Sequence, residues 1–415
     1  MSLADAVTLA LQQNLTLRQD GAQVVIDRAL VAEAKASLWP TVKASGSYTN
    51  ETVTTTSYPI AITIPGIGVV NGTLSSTNET TPYSFSLTLS YDLYTGNSVQ
   101  DQIAIEQATL DADEAAYAAE AAQIVLQVRE AYYNLWATAS AVTAAQQTVN
   151  EATENVRVTQ LKVTAGTAPM YDLLQAQTSL ASDQQTLTQD KASAVTAQYT
   201  LNKLLTLPLV TVVTPTTPMG LPQPPQQVDT LVSAALRQRP EIREAQAKTA
   251  SAQASIDLAK SGLRPTVTIS GGPTSSTGGL SALPVSWSGT LGVTLTIFDG
   301  GLTKAEIAAA EGQLQQAQLS LQQEQQTVES DVRSAYLSLQ QAAEQLRAAQ
   351  VEQTYAQETL RVANLKYRSG AGTQLDVITA QQNLLSAENA VISATYSYNA
   401  ALAELDQATG LQVKF

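Results

Sequence analysis

Apolar and polar residues alternate with a period of two in two stretches of the chain. From Tyr83 to Leu93 every second residue is apolar, with serine, threonine or aspartate between, and the alternation recurs from Val285 to Ile297. Shorter versions occur at 42–49 and 267–269. This period predicts β-strands with one apolar and one hydroxyl-bearing face. The longer runs approach the ~9–11 residues with which a tilted strand crosses a bilayer, although a soluble, half-buried sheet has the same pattern.

Apolar residues recur at every seventh position in two longer stretches, about 98–164 and about 302–368. The first carries Val128, Leu135, Val142, Val149, Val156 and Val163, and the second carries Val332, Leu339, Leu346, Leu360 and Tyr367. Neither stretch contains proline, so each predicts one helix of some 65 residues, roughly 100 Å long. The repeat predicts coiled-coil packing, and small residues at the second seam position favour a wall of closely packed helices. An ordinary intracellular coiled coil has the same repeat.

The two halves of the chain repeat one another. Residues 128–132 (Val-Arg-Glu-Ala-Tyr) recur at 332–336 (Val-Arg-Ser-Ala-Tyr), an offset of 204, which is 332 minus 128. Earlier in each half, residues 38–42 match 263–267 with an offset of 225, which is 263 minus 38. The first half therefore carries 21 additional residues, 225 minus 204. We expect these residues, around Tyr58 to Asn78, to form a longer loop.

Each half predicts the order helix, strand, strand, long helix, turn, helix. The first repeat covers 1–206, the second covers 228–415, and a linker at 207–227 is too rich in proline for a helix interior or a central strand. We expect opening helices from about Leu3 to Leu38 and from about Thr230 to Leu263. The remaining predicted elements are strands at about 40–56, 82–95, 265–273 and 285–298, long helices at about 98–164 and 302–368, and tip turns at 165–169 and 369–373.

The composition argues against an enzyme. The chain has no cysteine and no histidine, which removes disulfides, thiolate metal sites and the usual general base. The sequence shows no glycine-rich phosphate loop or clustered acid pair that would support another chemistry. We therefore predict no catalytic residue, no cofactor and no metal site. The net charge of −14 argues against a nucleic-acid partner and is typical of an acidic solvated surface.

The strands are the only part of the sequence suited to a membrane. No stretch approaches the ~20 consecutive apolar residues of a spanning helix. Four amphipathic strands cannot close a barrel, for which about eight are needed, and an open edge in lipid leaves amides unsatisfied. We therefore expect other copies of the chain to complete the sheet. The first five residues lack the basic start of a signal peptide, so the sequence is either cytoplasmic or a mature form, and the strands favour the second.

The sequence resembles the outer-membrane efflux proteins, TolC and its drug-efflux relatives, over essentially its whole length. The most specific match is Ile297-Phe298-Asp299-Gly300-Gly301, the strand-to-helix turn of that family, with Leu93-Tyr94-Thr95-Gly96-Asn97 as its first-half counterpart. The other matches are the Val-Arg-x-Ala-Tyr runs at 128 and 332, Tyr367-Arg368-Ser369-Gly370, Asp376-Val377-Ile378-Thr379-Ala380, Arg239-Pro240-Glu241-Ile242 and Ala408-Thr409-Gly410.

The resemblance implies a mainly α fold with a membrane β-barrel portion, the TolC-like channel-tunnel. In that fold four strands from each of three chains close a 12-stranded barrel, continuous with a periplasmic α-barrel. The resemblance further implies a homotrimer in the outer membrane of a Gram-negative-type bacterium, with most of the chain in the periplasm. A periplasmic adaptor and an energised inner-membrane pump are the implied partners, and the channel passively conducts drugs, toxic compounds or metal ions. A type I protein-secretion conduit has the same fold, and a soluble coiled-coil scaffold is the alternative from another class.

The resemblance places the functional residues at the turns after Lys162 and Lys366, the periplasmic tip where the tube narrows and meets the adaptor. Asp376 matches an aspartate ring at the constriction. Threefold symmetry would bring three carboxylates together there, favour cations and raise the pKa of some of the three. Tyr367 matches a gate tyrosine and Asp172 its carboxylate partner. The expected adaptor-contacting turn residues are Gly166, Thr167, Ser369, Gly370 and Gly372.

The tip also departs from TolC. Thr379 stands where TolC has a second aspartate and Gly372 where it has an arginine. We therefore expect a gate that is held closed less tightly and is less selective for cations. Gln175 belongs to the same predicted constriction. Simpler roles stay open, because acids are favoured at helix N-termini by the helix dipole and the gate tyrosine lies in the heptad seam.

Aromatic residues, only 5% of the chain, gather near the strands. We expect six of them to form belts at the membrane interfaces, and a core role is the alternative. They are Trp39, Tyr48, Tyr91, Tyr94, Trp287 and Phe298.

Overall fold

The computed structural model describes residues 1–49, 55–77, 83–217, 219, 227–277 and 285–410. The chain divides into two compact units. The helical unit consists of Met1–Asp27, Leu110–Thr249 and Ala317–Phe415, and the sheet unit consists of Arg28–Thr109 and Ala250–Gln316.

The elements follow the order of a duplicated chain. The first repeat holds α1 (Leu3–Gln13), α2 (Leu15–Ala36), β1 (Thr41–Tyr48), β2 (Thr55–Ile64), β3 (Gly68–Thr77), β4 (Tyr83–Tyr94), α3 (Ser98–Thr164) and α4 (Met170–Leu204). The second holds α5 (Val228–Gln238), α6 (Pro240–Ser261), β5 (Thr266–Thr277), β6 (Val285–Thr294), α7 (Leu302–Arg368) and α8 (Gln374–Thr409). The predicted fold class, mainly α with a smaller β portion, is confirmed.

The heptad positions of α3 and α7 form the core of the helical unit. Val128 and Val332, which correspond in the two repeats, are both fully buried, and Leu339 is 3% exposed. Ala145 and Ala335, at second seam positions, are buried as well. Because alanine is small and strongly favours helix, neighbouring helices approach closely without a loss of helical propensity.

Each opening helix, predicted as one, is two helices in the structure. The first is broken at Asn14, whose side-chain oxygen accepts the amides of Thr16 and Leu17 at 2.9 and 3.3 Å and so caps α2. The second is broken before Pro240, which begins α6 because a first helical residue needs no amide hydrogen. Asn14 and Pro240 are both helix-start signals visible in the sequence, but the apolar pattern that continues across them led to the prediction of a single helix in each repeat.

The segment after α4 is held against the start of the chain by Tyr132. The Tyr132 hydroxyl accepts the amides of Thr216 and Thr217 at 3.0 and 3.1 Å and donates to the Met1 carbonyl oxygen at 3.0 Å. The Tyr132 ring is fully buried, which explains the tyrosine of the first Val-Arg-x-Ala-Tyr run. Of the predicted linker, residues 218 and 220–226 lie outside the described residues.

The sheet unit contains a four-stranded antiparallel sheet in the order β1-β4-β5-β6. Its register puts apolar side chains on one face and hydroxyl-bearing side chains on the other. On the polar face, the hydroxyls of Ser45 and Ser86 and those of Ser47 and Ser84 are each 2.7 Å apart. The apolar face carries Val42, Ala44, Tyr48, Phe85, Leu87, Leu89, Tyr91, Val267, Ile269, Val285, Trp287, Leu291 and Val293.

Three strand predictions need correction. The strand predicted at 285–298 ends at Thr294, because the chain turns toward Asp299 and leaves Ile297 and Phe298 outside the ladder. The strand predicted at 265–273 continues to Thr277. The strand predicted at about 40–56 pairs with β4 only over Thr41–Tyr48, and residues 50–54 lie outside the described residues.

The expected long loop at Tyr58 to Asn78 is instead a β-hairpin. Strands β2 and β3 pair antiparallel from Thr55↔Thr77 to Ile64↔Gly68 and form a sheet of their own. The prediction of a loop was wrong because Thr, Gly and Pro content was weighed above the alternation that starts at Tyr58. Asn78 itself lies outside the described residues.

The strand-to-helix turns repeat the same backbone. Gly300 and Gly301 have φ of +69° and +91°, and their counterparts Gly96 and Asn97 have +67° and +73°, a region open to glycine and tolerated by asparagine. Asp299 caps α7: its carboxylate accepts the amides of Gly301 and Thr303, each at 2.9 Å, and the Thr303 hydroxyl at 2.5 Å. These bonds, the hydroxyl bond first among them, lower the pKa of Asp299 to about 2.

Across the described part of the chain, none of the helices combines the length and the apolar character that a membrane span requires.

Candidate functional site

Both tip turns, which belong to the helical unit, close in the same way. Each long helix ends before a glycine with left-handed backbone, with φ of +69° at Gly166 and +79° at Gly370. The amide of the residue after each glycine donates to the carbonyl oxygen of Lys162 or Lys366, at 2.8 and 2.9 Å. This pattern is the Schellman motif, which satisfies the last helical carbonyls and favours glycine at the left-handed position.

A lysine from the first repeat holds the end of α7. The Lys162 ammonium nitrogen donates to the Tyr367 carbonyl oxygen at 3.0 Å and lies 3.4 Å from the centroid of the Tyr367 ring. The ring is 7% exposed and packs with Leu360, Ala363 and Val377. A cation over an aromatic face is attracted by the negative charge of the ring face. The ends of α3 and α7 are therefore joined by a hydrogen bond and a cation–π contact from the same lysine.

A chain of polar groups continues inward from Tyr367. The Tyr367 hydroxyl lies 3.5 Å from the Thr159 hydroxyl, which donates to the side-chain oxygen of Gln374 at 3.4 Å. Thr159 is fully buried and Gln374 is 2% exposed. The Gln374 amide nitrogen is buried without a hydrogen-bond partner among the described residues. A buried unpaired amide costs free energy of folding. These three polar residues therefore stabilise the seam less than apolar residues would.

A pocket of about 420 Å³ opens between the two turns. Its wall brings together six predicted site residues, three from each repeat, together with the lysine and the glutamine described above. The lining includes Lys162, Thr167, Tyr171, Asp172, Gln175, Tyr367, Gly370, Gly372, Thr373 and Gln374.

Asp376 forms a capping box at the start of α8. Its carboxylate accepts the Thr373 amide at 2.8 Å, and its own amide donates to the Thr373 hydroxyl at 3.2 Å. The Thr373 amide, then the Thr373 hydroxyl and the nearby Lys366 charge, lower the pKa of Asp376. The raised pKa expected from the sequence applies to a trimer, in which three Asp376 carboxylates would face one another. Within the single chain the pKa shift is downward, and the simpler role at the helix N-terminus is present.

Asp172 has a different environment. Pro169 occupies the N-cap of α4, and no side-chain hydrogen bond caps this helix, so Asp172 has no counterpart of the Thr373 box. Asp172 lines the pocket with Tyr367. Among the described residues the Tyr367 hydroxyl reaches Thr159 and not Asp172. Pairing of Tyr367 with Asp172 therefore stays a prediction about neighbouring chains.

The remaining predicted tip residues are at the surface. Thr379 is exposed on α8, three residues after Asp376, and Gly166, Ser369 and Gly370 are exposed in the turns. Lys162, Thr159 and Gln374 were not predicted, because their contacts depend on how the two repeats meet. The one signal in the sequence was a threonine at a heptad seam position, where an apolar residue is usual.

The six predicted interface aromatics form two groups in the sheet unit. Tyr91 and Tyr94 pair with Ile269 and Val267 at the end of β4 that leads into α3, and Trp39 and Phe298 adjoin the same end of the sheet. Tyr48 and Trp287 lie toward the opposite end. Five of the six are at least 40% exposed, so these five are not core residues of the single chain. They are Trp39, Tyr48, Tyr94, Trp287 and Phe298.

An amphipathic sheet with an uncovered apolar face, long heptad helices and paired helical turns define a channel-tunnel class of protein. A profile of the family described as "Outer membrane efflux protein" matches residues 6–206 and 231–411. The chain belongs to this outer membrane efflux protein family. Each stretch of the match covers most of one repeat, in agreement with the duplication.

Curated relatives are distant but span most of the chain. Nodulation protein T of Rhizobium leguminosarum bv. trifolii is 26% identical over 416 residues, covering 98% of this chain and 85% of that protein. The cation efflux system protein CusC of Escherichia coli (strain K12) is 24% identical over 341 residues, covering 80% of this chain and 74% of that protein.

Solved structures show the same fold. A crystal structure of CusC matches with a TM-score of 0.79 at 22% identity, covering 98% of this chain and 92% of that one. The outer membrane protein VceC from Vibrio cholerae matches with a TM-score of 0.78 at 18% identity, covering 98% and 96%. The TolC-like fold of this chain is thereby established.

Proposed function

We propose that this chain is one protomer of a homotrimeric duct through the outer membrane of a Gram-negative-type bacterium. The observation that carries the proposal is the four-stranded sheet. One of its faces is apolar and exposed, with Leu291 65%, Val293 67% and Trp287 78% exposed. Its other face is lined by hydroxyls. In the described residues the outer edges of β1 and β6 have no partner strand, and long unpaired edges promote association with other chains.

A trimer would account for both the exposed apolar face and the unpaired strand edges. The β6 edge of one copy would pair with the β1 edge of the next, and the antiparallel alternation continues because each copy contributes an even number of strands. Twelve strands would then close without an edge, which the bilayer requires. The apolar face would meet acyl chains and the hydroxyl face would line the water-filled lumen.

The hydroxyl face suits a duct without strong charge preference. The charged side chains on this face are Lys43 on β1 and Asp92 on β4, among the described strand residues. The remaining positions are mainly serine and threonine. Such a wall offers hydrogen bonds to many kinds of cargo and holds none of them tightly, as conduction requires.

The tip pocket would form the periplasmic gate. In a trimer the Asp376 carboxylates would approach one another around the threefold axis, and Asp172 would face the Tyr367 of a neighbouring chain. The exposed turns at Gly166, Thr167, Ser369, Gly370 and Gly372 would contact a periplasmic adaptor. Their geometry supports this role, because both turns are ordered by their own hydrogen bonds and leave the pocket between them open.

The cargo would be small molecules delivered by an inner-membrane pump through that adaptor, with most of the chain in the periplasm. The name of the CusC relative refers to cation efflux, and metal ions belong to the proposed range of cargo with drugs and toxic compounds. The channel would supply no energy and catalyse no reaction.

Extraction and conductance test this proposal together. The protein should leave membranes only with detergent, migrate as a heat-sensitive trimer, and produce stepwise conductance when added to planar bilayers. A monomer that is stable in buffer without detergent and gives no conductance would refute the duct and favour a soluble scaffold.

A further inference from the structure

The β2–β3 hairpin is amphipathic and its apolar face is uncovered. Directly opposed residues share a face in an antiparallel pair, so the pairs Tyr58↔Leu74 and Ile62↔Val70 lie together. Ile60 and Ile64 lie on the same face, opposite glycines. The other face is the more polar of the two, with Ser57, Ser75, Thr63, Thr73 and Asn71 beside Pro59, Ala61 and Val69. Tyr58, Ile62 and Leu74 are 56–60% exposed.

An isolated hairpin of this kind needs a covering partner. A two-stranded sheet alone is marginally stable in water, and contiguous exposed apolar patches mark interaction sites. The hairpin forms a sheet separate from β1-β4-β5-β6. Its tip adds Ile67, which is 76% exposed between Gly66 and Gly68.

Acyl chains are a poor candidate for that partner. The β1–β4 ladder ends at Tyr48↔Tyr83, and the hairpin ladder begins farther along the chain at Thr55↔Thr77. Strands β4 and β5 are 12 residues long, which already meets the ~9–11 residues of a tilted membrane strand. The ten pairs of the hairpin, about 33 Å long, are therefore not needed for a strand of this sheet to cross the bilayer.

Other copies of this chain fit the hairpin better. No charged residue occurs from residue 52 to residue 78, between Glu51 and Glu79. In a threefold assembly each side chain at the axis faces its own copies, so any charge there would repel itself. A run of 27 uncharged residues (78 minus 51) removes that obstacle.

We propose that the three hairpins of the trimer pack their apolar faces together and form an apolar collar at the outer mouth of the duct. This inference rests on the proposed trimer. The collar turns Tyr58, Ile60, Ile62 and Leu74 toward the threefold axis and leaves the opposite, more polar face toward water. Because hydrophobic constrictions hinder hydrated ions more than apolar molecules, the collar favours amphiphilic cargo at the exit.

Cross-linking of single cysteines tests the collar, and the natural chain has no cysteine to interfere. Ile62→Cys places a thiol on the apolar face, and Thr63→Cys is the matched control on the opposite face. Purified trimers in detergent are treated with a short bis-maleimide and separated after denaturation. The collar predicts that Ile62→Cys forms a covalent dimer and that Thr63→Cys does not. Intact trimers with no dimer, or with equal dimer in both variants, overturn the collar and leave the duct standing.

Conductance and quenching by lipid test whether the apolar face constricts the duct or lies in the bilayer. Ile60→Ser with Ile62→Ser should raise single-channel conductance, whereas Thr63→Ser should leave it unchanged; unchanged conductance in the double variant contradicts the constriction. A polarity-sensitive fluorophore on Ile62→Cys that is quenched by brominated phospholipid would place the apolar face in lipid and also overturn the collar. Absence of any heat-sensitive trimer refutes the proposed duct itself, and the collar with it.

Discussion

The Lys162 ammonium nitrogen lies 3.4 Å from the centroid of the Tyr367 ring and donates a 3.0 Å hydrogen bond to the Tyr367 carbonyl oxygen. The two residues end the long helices of different repeats and are 205 positions apart. This contact joins the two tip turns within one chain, in addition to any contact between chains. Opening of the tip by separation of the two turns must break it.

Lys162→Met is expected to favour the open tip. Loss of the cation–π contact and of a charge-assisted hydrogen bond should weaken the closed arrangement by about 1–2 kcal/mol, which raises the open population about 5- to 30-fold. Single-channel open probability measures the effect. Tyr367→Phe is the comparison, because it keeps the ring and the carbonyl that Lys162 contacts and removes the hydroxyl, with its 3.5 Å contact with Thr159 and its proposed pairing with Asp172 of a neighbouring chain. If Tyr367→Phe opens the tip and Lys162→Met leaves the open probability unchanged, the hydroxyl, and not Lys162, holds the tip closed.

Substitutions at Asp376 and Thr379 should shift ion selectivity in opposite directions. Asp376→Asn removes three carboxylates from the proposed ring and should lower the cation/anion permeability ratio. Thr379→Asp adds three carboxylates on the next turn, at an exposed position, and should raise that ratio. Reversal potentials in a salt gradient measure both variants. If Asp376→Asn leaves the reversal potential unchanged, Asp376 does not face the pore.

Asp299→Ala should destabilise the start of α7 in a pH-dependent way. The folded pKa of Asp299, about 2, lies below its ordinary value of 3.8. The cap therefore contributes stability above the ordinary pKa and loses it as the pH falls through about 2. We expect a lower melting temperature than the natural protein at pH 7 and a difference that disappears below pH 2.

The control for this prediction is the counterpart position in the first repeat. The Thr95 hydroxyl oxygen accepts the Val99 amide at 3.5 Å, a long bond without a charge. Thr95→Ala should change the melting temperature little and by the same amount at both pH values. A pH-independent loss in Asp299→Ala would mean that the turn backbone, and not the carboxylate, caps α7.

Arg239→Met should destabilise the helical unit far more than Arg333→Met. The Arg239 side chain is 7% exposed and binds Glu241 and Asp331, each at 3.0 Å. Removal of one partner of a buried pair costs ~3–5 kcal/mol, and we expect about 2–3 here because the acids reach solvent. Arg333 is 46% exposed, and exposed pairs contribute about 1 kcal/mol or less. Denaturant titration in detergent compares the two variants, and equal losses would contradict the burial argument.

Much of the fold follows from short-range regularities in the sequence. A period of seven without proline indicates α3 and α7, and a period of two indicates the amphipathic sheet. A glycine four residues after a lysine (Gly166 after Lys162, Gly370 after Lys366) indicates both tip turns, because the left-handed backbone there excludes most other residues. Each of these signals lies within a few residues of the feature it predicts.

The features that were missed depend on competing local signals or on distant contacts. Asn14 and Pro240 break helices whose apolar pattern continues across them. The hairpin was hidden because Pro65 and Gly66, which form its turn, also suggest a loop. Contact of Lys162 with Tyr367 requires the two repeats to meet in one register, and no local pattern specifies that register.

Single cysteines along β4 report directly which face of the sheet meets lipid. Phe85, Leu87 and Leu89 are changed one at a time, with Ser86 and Thr88 as controls on the hydroxyl face, and each protein is reconstituted into liposomes. We predict that a charged maleimide in the aqueous phase labels the cysteines at 86 and 88 and spares those at 85, 87 and 89. Labelling without a period of two, or preferential labelling of the odd positions, would show that this sheet is not the wall of a membrane channel.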